Sequence, residues 1–67
     1  MTVEYAVTFE FDQQPPITHR GTVTGGKATT VVARATRAAV TAHPGLRWTS
    51  LVVVLLGRVE NGGRGYA

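Results

Sequence analysis

Thr2-Val-Glu-Tyr-Ala-Val-Thr-Phe-Glu-Phe-Asp12 alternates strictly between two kinds of side chain. Val3, Tyr5, Val7, Phe9 and Phe11 fall at period two, with Thr2, Glu4, Ala6, Thr8, Glu10 and Asp12 between them. Successive strand residues point to opposite faces, so this pattern predicts a strand with one face in a core and one toward water. Gln13-Gln14-Pro15-Pro16 breaks it, because proline brings no N–H to a sheet ladder. A second alternation follows, with Ile17, His19, Gly21 and Val23 on one face and Thr18, Arg20, Thr22 and Thr24 on the other. Strand, short breaker and strand predict an antiparallel hairpin.

Gly25-Gly26 ends the second strand, and from Lys27 to Ala42 the period changes. Ala28, Val31, Val32, Ala35, Ala39 and Ala42 recur at helical spacing, with Lys27, Thr30, Arg34, Arg37 and Thr41 opposite them. The β-branched start, Thr29-Thr30-Val31-Val32, is a poor helix former, and the surrounding alanines offset it. His43-Pro44-Gly45 stops the helix. A third strand is expected from Trp48 to about Val59, and its centre, Leu51-Val52-Val53-Val54-Leu55-Leu56, is apolar on both faces. Such a run belongs to a strand covered on both sides or paired on both edges. One helix covers only one face.

The expected fold is therefore α+β, in the order β-β-α-β: a three-stranded antiparallel or mixed sheet with one helix packed on one face. A right-handed crossover through the helix gives strand order 2-1-3, with the first strand central and the third at an edge. The single domain spans 1–59, and residues 60–67, rich in glycine, are expected to form a flexible tail.

At 67 residues, such a domain buries only about 60% of its unfolded surface. The absence of cysteine rules out disulfides, thiolate metal sites and cysteine nucleophiles. No metal and no other cofactor is expected, since two histidines 24 positions apart make no metal motif. Oligomerisation is the remaining source of stability. Trp48 and Leu51, Val52, Val53, Val54, Leu55 and Leu56 are the expected self-association residues. They would act through edge pairing in a homodimer or through the open sheet face.

Charge is distributed unevenly in a chain of net charge +3. Residues 1–12 carry Glu4, Glu10 and Asp12 and no base; residues 13–67 carry seven bases against the single acid Glu60, a net +6. Arg20, Lys27, Arg34, Arg37 and Arg47 form the candidate nucleic-acid surface, by attraction to phosphate. The competing reading is an ordinary solvated helix face. Gly21-Thr22-Val23-Thr24-Gly25-Gly26-Lys27-Ala28 comes near a phosphate-binding loop but has alanine where Ser or Thr would hold magnesium. Ser50 has no His–acid partner at useful spacing, so catalysis is not expected. His19 is expected to be a half-buried strand histidine meeting a backbone carbonyl, and His43 a polar group at a helix end. The longest apolar run has six residues against the roughly 20 of a membrane helix, and no signal-peptide pattern opens the chain. The expected setting is cytoplasmic, with no membrane partner.

Val7-Thr-Phe-Glu-Phe-Asp12, Pro15-Pro-Ile-Thr-His-Arg-Gly-Thr-Val23 and Ser50-Leu-Val-Val-Val-Leu-Leu56 together resemble small uncharacterised proteins of actinobacterial bacteriophages. The resemblance spans about residues 3–58 and implies an origin, with the cytoplasm of an infected host as the setting. It carries over no functional residue. With it, the expected function is a non-catalytic, self-associating accessory module that binds a host or phage protein. The alternative is nucleic-acid backbone binding.

Overall fold

The structure is a computed structural model and describes residues 1–59; the expected tail at 60–67 lies outside the described residues. The order is β-β-α-β: β1 (Thr2–Glu10), β2 (Ile17–Thr24), α1 (Ala28–Ala42) and β3 (Ser50–Arg58). The strands form one open sheet in the order β2-β1-β3, and both pairings are antiparallel. The α+β reading and the central place of the first strand are both seen.

β1 ends two residues before the alternation does. Its last partner on the β2 side is Ile17, opposite Phe9, and the chain before Ile17 is Pro15-Pro16, which offers no N–H to prolong the ladder. Phe11 leaves the strand but still packs, half-buried, against the core.

The core lies between the β1 face and one stripe of α1. Tyr5, Val7 and Phe9 pack against Ala35 and Ala39. Alanine at these helix positions lets the backbone approach the sheet closely enough for the aromatic rings to fill the gap. Only Val31, Ala35 and Ala39 of the helix are buried. Ala28, Val32 and Ala42, expected on the same stripe, are exposed, Val32 at 37%. The helix lies mainly over β2 and β1, so its buried stripe is one residue wide and the flank carrying Val32 and Val40 stays in solvent.

Backbone bonds fasten the ends. The Gly25 N–H donates to Met1 O at 3.0 Å, the Val59 N–H to Thr2 O at 2.8 Å and the Thr49 N–H to Glu10 O at 2.7 Å. The His43 N–H closes α1 by donating to Ala39 O and Val40 O, and Gly45, at φ 86°, takes the left-handed turn that follows Pro44.

Gly21 lies opposite Tyr5 on the core face of β2. A Cβ there would stand 2.8 Å from the Tyr5 hydroxyl and 3.1–3.2 Å from two ring carbons. Tyr5 is only 2% exposed, so the ring has nowhere to retreat. Gly21→Ala is expected to cost about 1–3 kcal/mol as overpacking, lowering the thermal midpoint by several degrees. Gly26→Ala, with nothing within 4 Å, is expected to leave the midpoint within about 2 °C, because surface substitutions rarely exceed ±0.5 kcal/mol. Thermal melts followed by circular dichroism check the pair.

Candidate functional site

Two features stand apart from ordinary packing: the outer edge of β3, and a chain of polar rings at the C-terminal end of α1.

β3 pairs with β1 along its whole length, Leu51 opposite Phe9, Val53 opposite Val7 and Leu55 opposite Tyr5. Leu51 and Val53 thus share the core face and pack against the buried cluster, half-covered. Val52 and Val54 point to the other face, beside Thr8 and Ala6, and are 44% and 45% exposed. Between Leu55 and Gly57 the register shifts, since Tyr5 pairs with Leu55 but Glu4 with Gly57. Leu56 is the extra residue, and Gly57, at φ 153°, takes a conformation that other residues rarely adopt. Leu55, Leu56, Val59 and Trp48 are also exposed.

The expectation of a doubly apolar run is met, with a division of labour within it. Leu51 and Val53 pack on the monomer core and Val52 and Val54 lie on the open face, while Leu55, on the core side opposite Tyr5, and Leu56, at the bulge, stay exposed among the described residues. Among the described residues β3 has no partner strand along its other edge, and from Ser50 to Gly57 it carries neither a charge nor a proline. Natural edges are usually guarded by exactly such residues or by a covering element. The rest of the open face is polar: Thr8 and Thr18 hydroxyls meet at 3.0 Å, as do those of Thr2 and Thr24.

The ring chain begins at the Tyr5 hydroxyl, 3.1 Å from His19 Nε2. His19 Nδ1 lies 3.2 Å from His43 Nε2. The edge of His43 packs on Phe9 with ring centres 5.7 Å apart, and Trp48 flanks the other side of Phe9 at 6.0 Å. Both imidazoles are half-buried. His19 therefore meets two side chains where a backbone carbonyl was expected, and His43 bonds across to the sheet as well as capping its helix. Their spacing of 24 residues hides this: only the docking of α1 over β2 and β1 brings the C-cap above His19. No third His, Cys, Asp or Glu joins them to make a metal cluster among the described residues.

The five candidate cations are spread over different parts of the surface. Arg20 sits opposite Ala6 on the open sheet face. Lys27 is the N-cap of α1, Arg34 donates from its guanidinium to Thr24 O, and Arg37 is exposed on the helix. Arg47 lines an open depression of 520 Å³ between the loops that follow β1 and α1, with Asp12 in the same lining. Gly21, part of the near-match to a phosphate loop, is inside β2, so that segment is strand and not a cradle. Ser50 donates its hydroxyl to Glu10 Oε1 at 2.7 Å and has no imidazole partner.

Comparison with protein families, with curated proteins and with solved structures finds no match for this chain. No helix among the described residues is long and apolar enough to cross a membrane.

The buried Tyr5 hydroxyl has His19 as its side-chain partner, so Tyr5→Phe strands one imidazole nitrogen without changing the packing. The variant is expected to lose about 0.5–1.5 kcal/mol in urea unfolding with an unchanged slope.

Proposed function

We propose that the protein is a non-catalytic interaction module that works as a homodimer, joined edge to edge through β3. The observation that carries this reading is the unguarded apolar edge. A strand of nine residues offers a free row of backbone donors and acceptors together with exposed Val52 and Val54. A two-fold axis at Val53 suits the segment, because antiparallel partners must share a face. That register sets Val52 against the partner's Val54 and Leu51 against the partner's Leu55. It uses only the regular part of the strand and ends before the bulge at Leu56. The product is a continuous six-stranded sheet, which adds buried apolar surface that 67 residues by themselves have little of.

As part of the same proposal, the dimer is an accessory protein of a bacteriophage, acting in the cytoplasm of an infected host on a host or phage protein. This extends the sequence resemblance and the lack of an acid or nucleophile beside the two imidazoles among the described residues. The nucleic-acid reading has thinner support. Arg20 and the helix cations lie on opposite sides of the sheet, and Arg34 is already engaged by Thr24.

Light scattering on the eluting protein at high micromolar concentration is expected to give twice the 7.1 kDa monomer mass. The double variant Val52→Lys/Val54→Lys puts like charges opposite each other in the proposed pairing while leaving the monomer core untouched. It is expected to elute as a folded monomer. A monomeric parent protein, or a double variant that dimerises as the parent does, would overturn the edge-paired dimer.

A further inference from the structure

We propose that His19 and His43 form an acid-released latch that holds the C-terminal end of α1 on the sheet. This inference stands on the ring chain and is independent of the self-pairing of β3.

Proton count governs the pair. Neutral imidazole has one N–H donor and one bare nitrogen acceptor. With His19 Nε2 accepting from the Tyr5 hydroxyl, its Nδ1–H donates to His43 Nε2, and each of the two contacts, at 3.1 and 3.2 Å, has one donor and one acceptor. One added proton is also accommodated: His43 becomes the donor to His19 Nδ1, and His19 turns its Nε2–H toward the Tyr5 oxygen. A second proton is not. Both facing nitrogens would then carry hydrogen, the bond between them is lost, and two cations stand with ring centres 5.2 Å apart.

Among the described residues, no anionic side chain faces the pair to relieve that repulsion. β1 faces the pair with the Tyr5 hydroxyl and the Phe9 ring. The buried stripe of α1 presents Ala35 and Ala39, and the core side of β3 presents Leu51 and Val53. Arg20, next to His19 in the chain, points to the opposite sheet face, and Arg47 and Asp12 belong to the loop depression. No carboxylate bonds to either ring among the described residues. Two nitrogens without a third ligand make a poor metal site, so the proton is the ligand this geometry suits.

The latch has a defined load. His43 is the C-cap of α1 and packs on Phe9, which in turn touches Trp48 in the loop leading to β3. Imidazole changes charge within about pH 5–8. The doubly charged pair is disfavoured only when folded, so the open chain binds more protons in acid and the closed state weakens as pH falls. Opening frees the helix end and the Trp48 loop together.

Trp48 is the single tryptophan and reports the event. The intact protein is titrated from pH 8 to 4.5, following the imidazole nitrogens by NMR and Trp48 by its emission. Acidification is expected to break the Nδ1–Nε2 contact between the two rings and to change the Trp48 emission with it. In His43→Gln, Trp48 emission is expected to stay flat over the same range. Trp48 emission that stays flat from pH 8 to 4.5 in the parent protein would overturn the latch, whatever the variant does. So would an emission transition that persists unchanged in a folded His43→Gln.

Discussion

The packing of one strand face against one narrow helix stripe organises this molecule. Val3, Tyr5, Val7 and Phe9 are all buried on β1, and Ala35 and Ala39 of α1 pack against Tyr5, Val7 and Phe9. Among the described residues β1, the central strand, is the one paired on both sides. Gly21 lies against Tyr5 because that ring fills the space; His19 bonds to the same side chain; and β3 takes its register from Tyr5, Val7 and Phe9. The core is small, as it must be in so short a chain, and it is finished before β3 has buried its own apolar side chains.

That shortfall is a matter of geometry. A single helix covers one sheet face, and here it sits mainly over β2 and β1. Among the described residues β3 is left with one face open, the other partly covered and its outer edge unpaired. Charge or proline would make such an edge safe in isolation. From Ser50 to Gly57 it has neither. The bulge at Leu56 bends the strand near its end and confines the regular edge to the stretch around Val53.

The alternation of β1, the hairpin, the helix and the strand order were legible in the residues, because each rests on a local period or a local breaker. The width of the buried helix stripe was not. Val32 and Ala42 share the helical spacing of Val31 and Ala39, and only the position of α1 across the sheet separates them. The two imidazoles illustrate the same limit. His19 could be placed on the inward face of its strand and His43 at a helix end, yet their meeting depends on how the helix docks. The bulge could not be foreseen either, although Gly57 among large apolar residues was a faint sign of it.

The two proposals make the protein a paired sheet whose helix ends are held by proton-sensitive contacts. The paired sheet is the central claim, and amide hydrogen exchange along β3 tests it at the level of single backbone groups. The β3 amides around Val53 that point away from β1 are predicted to exchange slowly at millimolar concentration. Dilution should make them fast, while the amides bonded to β1 stay protected. Rapid exchange of the outward amides at every concentration would contradict the account.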